Sequence, residues 1–444
     1  MTTRDCWTKF VLGSFAIFMV VMIGGADPAL GQIKKLRYIG CSYPAMMAEF
    51  KKQFAKFEKM YPDVNIEVER VDWSEVVTKV TSAVAAGVPY DLVDTGISEN
   101  QWVLQQAGLF QPLTDVVAEL GGEDYFTPGA LKRNKGEYWM IPTKGFVFHL
   151  LYRKDLFDKK GLKPPQDWVE YLDCAKKLTE DVDGDGKIDH WGTIMPIGNS
   201  YYPGIYMVNM MLNNGGHLLD DKGNVVFDSP QNIETIKFLE ELYKYSPPGS
   251  ATYKIVDMRT AFYHEKAAMS WYGTLMLSTD IKDRNHPLYG KVGISVIPPA
   301  KKGGRTVLRT GFSSCSLSKD TKYPKEAKAV IKYLLGVDQI VDAHLSQPTA
   351  FSIPIRKAAQ SPRLWSDPTI KLFEKEYREY LELTNKYGQE IGIFENRDTL
   401  NPDTSKIIDS LIINRVLQDV ILKKVPVEKA VKEGAEKMRE LIGK

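Results

Sequence analysis

Cysteine is scarce in this chain. There are four in 444 residues, Cys6, Cys41, Cys174 and Cys315, too few for the disulfide scaffold of a small secreted domain. An excess of either charge is also missing. Lys and Arg number 58 against 56 for Asp and Glu, a net of +2, and no block of like charge forms a polyanion-binding arm, which argues against nucleic acid as a partner. The six histidines, His149, His190, His217, His264, His286 and His344, include no pair at helical spacing, so nothing points to a zinc or iron site built on two of them. Walker P-loop, GxGxxG, GxSxG and HExxH patterns are all lacking, which removes phosphate-cradling, dinucleotide-binding and two common hydrolytic devices. Carboxylate pairs survive this exclusion, because spacing among 56 acids does not reveal which meet in space; a glycosidase is therefore the enzyme reading left open.

Long apolar runs are limited to one. Phe10 to Ile23 follows Arg4 and Lys9 and leads into Gly24, Gly25 and the small-residue stretch before Gln32. Its 14 residues fall short of the about 20 that a spanning helix needs. The pattern is that of a secretory signal over residues 1–31, with Ala29 and Gly31 as the small-x-small cleavage site. Cleavage there leaves 444 − 31 = 413 residues, expected to diffuse freely in a periplasm-like compartment. Cys6 would leave with the signal, and the remaining three cysteines allow at most one bridge. Cys41 lies well past the apolar run and within a strand-like segment, so it does not read as a lipid-attachment site.

What is present is an ordinary globular composition, 43% hydrophobic and 26% charged, with enough chain for two large cores or three small ones. Leu36 to Gly40 reads as a strand. Met47, Phe50, Phe54 and Phe57 then recur on one helical face until Pro62, and Val64, Ile66 and Val68 alternate as a half-buried strand. A helix is expected from Trp73 to Gly87, followed by a strand at Leu92 and Val93. The alternation resumes at Val147–Tyr152, Trp168–Leu178, Gly192–Met195, Ile233–Tyr243, Ala268–Trp271 and Val292–Ile297, which argues for an α/β fold with two mainly parallel sheets. The C-terminal part is helical at Tyr323–Leu335, Lys371–Leu383, Lys406–Leu417 and Val427–Leu441. No linker separates domains, which suggests that the chain crosses between them more than once.

Two local signals stand out. Asp181, Asp183 and Asp185 followed by Gly186, Lys187 and Asp189 repeat the opening of a calcium loop, in which oxygens at alternate positions converge on one cation. Position twelve is Gly192 where such loops place a bidentate Glu, so the alternative is a metal-free Asp/Gly turn. Aromatic residues gather near expected strand ends: Tyr138-Trp139, Tyr201-Tyr202, Trp271-Tyr272, Trp73, Trp102 and Phe312. Flat rings beside directional polar groups suit the CH faces and hydroxyl rims of sugars, and two adjacent rings in a strand cannot both face one core.

Several segments resemble the extracellular solute-binding proteins of ATP-driven importers, the group that includes maltose- and glycerol-3-phosphate-binding proteins. They are Asp72-Trp73-Ser74-Glu75 running to Ala85-Ala86-Gly87-Val88-Pro89-Tyr90-Asp91; Leu151-Tyr152-Arg153-Lys154-Asp155-Leu156-Phe157 with Gly161 to Trp168; the acidic loop ending in Trp191-Gly192; Asn214-Gly215-Gly216; Phe262 with Ala267-Ala268-Met269-Ser270; and Pro324 to Leu335. The resemblance implies two α/β lobes joined by three crossings, near Lys144–Leu150, Ile297–Gly304 and Gln347–Ile355. One lobe would hold residues 32–146 plus 304–350, the other 147–303 plus 351–444. It implies a monomeric, non-enzymatic receptor without a required cofactor, which closes over a sugar or oligosaccharide and hands it to the transmembrane permease subunits of an ABC importer. By strand-end position and by this similarity, Tyr43, Trp139, Tyr201, Tyr202 and Tyr272 are the expected ring or hydroxyl contacts. Ser42, Ser98, Asn100 and Arg309 are the polar candidates, with Phe312 on the same wall. Lys144 and Arg309 would anchor an anionic solute, the alternative ligand. Gly273-Thr274-Leu275 stands where the maltose-binding group carries a stacking Trp, which argues against maltose itself.

Overall fold

The computed structural model describes residues 32–272, 281–348, 351–390 and 402–444. The expected signal segment and Gly273-Thr274-Leu275 lie outside the described residues. No described helix is long and apolar enough to cross a membrane.

The strands are β1 (Lys34–Gly40), β2 (Val64–Arg70), β3 (Leu92–Asp94), β4 (Phe110–Gln111), β5 (Ile141–Val147), β6 (His149–Arg153), β7 (Met269–Tyr272), β8 (Val292–Ser295), β9 (Leu308–Ser318) and β10 (Gly388–Glu390). They form two sheets in an α/β architecture of two lobes. The first has the order β10-β9-β3-β1-β2, with β4 and β5 also paired to β9. The second is β7-β6-β8. Pairing is parallel along β1, β2 and β3. It is antiparallel where β9 meets β3 and β5, so the first sheet is mixed, and where β6 meets β7 and β8, so the strands of the second are antiparallel rather than mainly parallel as expected. The expected strand at Gly192–Met195 appears as two parallel bridges beside β7, Trp191 with Ala267 and Ile194 with Ser270.

Local sequence explains most helices. Pro44 starts Pro44–Met60, whose inward face carries Met47, Phe50, Phe54 and Phe57. Asp167 caps Trp168–Lys177 by accepting the Glu170 N–H at 2.8 Å, and Ser229 caps Pro230–Tyr243. Two helices depart from the periodicity. The expected helix from Trp73 begins at Val76, because the Asp72 carboxylate accepts both the N–H and the hydroxyl of Ser74 and holds a turn. Lys406–Leu417 is split into Pro402–Asp409 and Ile412–Lys423 at Leu411, where φ is +59°.

The chain changes sheets at Phe148, between β5 and β6. Residues 297–304, expected to hold the second crossing, stay with the second lobe at the C-cap of helix Tyr201–Leu212, and the chain leaves it later: Ala300 N–H donates to Asn213 O, and Val307 N–H to Asn213 Oδ1. The chain therefore enters the first sheet at Leu308, where β9 begins. Residues 351–365, placed by sequence in the second lobe, pack on the first. Gly145 and Ser352 exchange backbone hydrogen bonds at 2.9 and 2.8 Å, Thr127 N–H donates to Pro354 O, and Arg363 donates to Asp338 O. Helix Glu374–Tyr387 then reaches the second lobe through Lys154–Glu376 at 2.6 Å and the Tyr380 ring 4.9 Å from His149.

Candidate functional site

A cleft of about 340 Å³ opens between the lobes. Its first wall is made at the carboxyl ends of the first-lobe strands, where side chains leave the sheet without strand partners. The segment after β1 brings Cys41, Ser42 and Tyr43, β2 ends in Arg70 followed by Asp72 and Trp73, and the loop after β3 adds Gly96 and Ile97. Gly96 needs its φ of +74°, and a Cβ there would stand 2.8 Å from Cys41 Cβ, so a glycine is required where these two loops meet. Lys144, Phe146, Val147, Phe148 and Phe351 form the floor. The second wall consists of Tyr202, Ile255, Val256, Arg259 and Tyr272.

The floor is held tightly. A register shift in the β5–β9 pairing lies between Pro142 and Lys144, and Gly145 lies so close to Phe312 and Ser352 that a Cβ would approach them to 2.7 and 2.1 Å. Lys144 Nζ donates to Ser42 Oγ at 2.7 Å and stands 3.6 Å from the fully buried Asp94 carboxylate. Its charge is thereby balanced within the protein. Arg70 Nε donates to Ser42 O, which ties the first two loops together.

Rings close the space from both sides. Trp73 of the first lobe and Tyr202 of the second meet edge to face at 6.2 Å, and Phe148 lies 5.5 Å from Tyr202 and 6.1 Å from Tyr272. Burial pushes the Tyr202 phenol up to about 12, against the downward pull of Arg309. Burial also raises Tyr43, opposed by the charge of Arg259. Both hydroxyls therefore remain neutral near pH 7, able to donate and accept hydrogen bonds.

Of the residues expected from sequence, Ser42, Tyr43, Lys144, Tyr202 and Tyr272 line the cleft. The others serve elsewhere. Trp139 packs against the small core of Ile39, Val76, Val80, Tyr90, Val93, Leu104 and Phe110, with its indole N–H on Asn134 O. Asn100 donates to the Trp73 carbonyl at 2.8 Å and so positions that residue. Tyr201 and Arg309 both bond Glu99, and Phe312 is buried over Gly145. Ser98 begins helix Ser98–Gln106; its side chain lies outside the described part. Sequence reasoning missed Arg70, Asp72, Trp73, Phe148, Arg259 and Phe351 as lining. The Asp72-x-Ser74 turn was a readable signal for Trp73, but nothing local marks Arg259 or Phe351.

The acidic loop is remote from this cleft in its contacts. Carboxylate oxygens of Asp181, Asp183 and Asp189 lie within 4.8 Å of one another. Each already accepts backbone N–H groups: Asp181 from Gly184 and Gly186, Asp183 from Asp185, Asp189 from Val182. Asp185 instead pairs with Lys187 at 3.1 Å. A calcium held by all five expected residues would need that pair to rearrange. Cys174 and Cys315 are buried free thiols, and Cys41 is a half-buried one.

The bacterial extracellular solute-binding protein family model matches residues 42–340. A putative periplasmic-binding protein of an ABC transporter from Escherichia coli K12 is 23% identical over 332 residues, 73% of each chain. The fold is shared with a solute-binding protein of Agrobacterium radiobacter K84 in complex with ribitol, at a TM-score of 0.72 and 22% identity, covering 93% of this chain and 100% of that one. Maltose-bound MalE3 of T. maritima superposes at a TM-score of 0.71 with 22% identity, over 92% and 99% of the two chains. With a family match over most of the chain and a two-lobed fold whose cleft sits at the strand ends, the chain belongs to the bacterial extracellular solute-binding proteins.

Proposed function

We propose that this protein is the receptor of an ABC importer for a sugar-like solute, captured in the cleft by closure of the lobes. The observation that carries the reading is the cleft itself, in which both walls contribute rings, Tyr43 and Trp73 facing Tyr202 and Tyr272, with hydroxyl, guanidinium and ammonium donors between them. Apolar ring faces beside directional polar groups match a polyhydroxylated ring. Solved relatives of the same fold bind ribitol and maltose, which supports the class. A solute that touches both walls binds the closed arrangement better than the open one and so shifts the population toward it. Micromolar affinity corresponds to about 8 kcal/mol, within reach of a few ring and hydrogen-bond contacts.

The anionic alternative loses its expected anchors, since Lys144 faces Asp94 and Arg309 faces Glu99. Glycoside hydrolysis uses two flanking carboxylates, whereas Asp72 is the one carboxylate among the described lining residues. Export by the residue 1–31 signal, a periplasmic location, a monomeric state and docking on transmembrane permease subunits belong to the same proposal. Thermal-shift screening against neutral mono- and oligosaccharides, polyols, glycerol phosphates and peptides tests it. A rise in melting temperature with a neutral sugar or polyol, without product release, is expected. Stabilisation confined to peptides or phosphates, or turnover of an aryl glycoside, would overturn it.

A further inference from the structure

Arg309, Glu99 and Tyr201 contribute nothing to the cleft lining, yet they join three parts of the molecule. Arg309 is the second residue of β9, just after the second change of sheet. Its N–H donates to Asn209 Oδ1 at 3.2 Å on helix Tyr201–Leu212, and its carbonyl accepts the Phe148 N–H at 3.0 Å. Its guanidinium lies against the first lobe, where Nη2 is 2.8 Å from Glu99 Oε1. Glu99 belongs to helix Ser98–Gln106, which Gln101 ties to the first sheet through Val93 O and Ser316 Oγ. The same Glu99 Oε1 accepts the Tyr201 hydroxyl at 2.6 Å, from the first residue of the second-lobe helix. One carboxylate of the first lobe therefore receives donors from the crossing and from the second lobe at once.

The energetics keep this contact near balance. Both ionic side chains are almost wholly removed from water, at 0% and 6% exposure. Arg309 Nε and Nη1 find no hydrogen-bond partner among the described residues. The rings of Phe146, Phe148 and Tyr202 stand 4.5, 5.7 and 5.9 Å from the guanidinium carbon and offset part of that loss. Opening the contact rehydrates the unpaired donors and closing it restores the ion pair, so neither arrangement is overwhelmingly favoured.

We infer that Glu99, Arg309 and Tyr201 form an interlobe latch that biases the solute-free protein toward its closed arrangement and so tunes the apparent affinity of the cleft. The inference rests on the two-lobed receptor reading but on no particular solute. Cys41 supplies a solute-free readout, because it lines the cleft and is the one cysteine of the three described that is not buried. The purified protein and its Glu99→Gln and Tyr201→Phe variants are treated with a neutral maleimide, and the labelled residue is identified by mass spectrometry. Both variants are expected to label Cys41 about 5–10-fold faster than the parent, the factor by which the open population rises. Their solute-free radius of gyration is expected to rise. A lower melting temperature with Cys41 labelling and radius unchanged would overturn the latch and leave a merely structural cluster. Faster labelling of Cys174 and Cys315 alongside Cys41 would also overturn it, as general loosening. Tyr201→Phe removes a single hydroxyl, so it remains informative if Glu99→Gln folds poorly. Failure of every sugar in the screen would count against the proposed ligand and leave this measurement standing.

Discussion

Tyr202 and Trp139 each belong to an aromatic pair, and the backbone sends them to different surroundings. In two of the pairs one ring goes to one side and its neighbour to the other: Trp271 is fully buried against Phe148 while Tyr272 lines the cleft, and Tyr138 enters the large core while Trp139 packs on the small one; Tyr201 and Tyr202, which open a helix, stay edge to face at 5.4 Å. For Trp271-Tyr272, which lie in β7, that the two rings must separate was legible from strand geometry; which ring faces solute was not. Tyr202→Ala should weaken sugar binding by about 1–2 kcal/mol, a 5–30-fold rise in Kd, with the melting temperature of the solute-free protein changed far less. Trp139→Ala should do the reverse, costing about 2–3 kcal/mol of stability and leaving Kd alone. Calorimetric titration and denaturant melts of both variants check the pair. A Kd shift in Trp139→Ala would return that residue to the site.

His149 makes a second prediction at this scale. It is fully buried beside Tyr380, and burial pushes its pKa down to about 3. The unfolded state then binds a proton below about pH 6.5 that the folded state refuses. This contribution is fully present above pH 6.5 and is lost as pH falls, by about 2 kcal/mol at pH 5. His149→Phe should flatten the decline of unfolding free energy between pH 7 and pH 5 by that amount. An equal slope in both proteins would show that His149 is not the group responsible.

Among elements, short polar turns decide more than helices do. The Asp72–Ser74 turn delays a helix until Val76 and leaves Trp73 38% exposed, free to meet Tyr202 across the cleft. Its apolar periodicity alone would have wound Trp73 into the helix. The Asp181–Asp189 loop shows the same economy, since its carboxylates are satisfied by the loop's own N–H groups. EDTA leaves the melting temperature unchanged if these bonds alone hold the loop. A clear drop, restored by added calcium, would show that a cation replaces those bonds.

The whole molecule is governed by where the chain crosses. Phe148 and Arg309 stand together at two crossings, joined by a backbone hydrogen bond, and the Gly145–Ser352 pairing brings the returning chain to the same line. A hinge composed of such closely spaced strands allows rotation of one lobe on the other with little loss of core. X-ray scattering should show a smaller radius of gyration with bound solute, and a larger decrease in Glu99→Gln, whose solute-free state starts more open. An unchanged radius on saturation would count against hinge closure.

The amino-acid sequence by itself determined the α/β class, the helix faces and caps, the strand ends at which a cleft forms, and the family. These depend on local periodicity, caps and motif order, which are written along the chain. Only the tertiary structure decided which lobe holds residues 351–365, that Lys144 and Arg309 are spent on buried carboxylates, and that Arg259 and Phe351 face the cleft. Each of those facts joins residues distant in the chain, Glu99 and Arg309 being 210 apart, and no local pattern specifies which opposite charge or ring a side chain will meet.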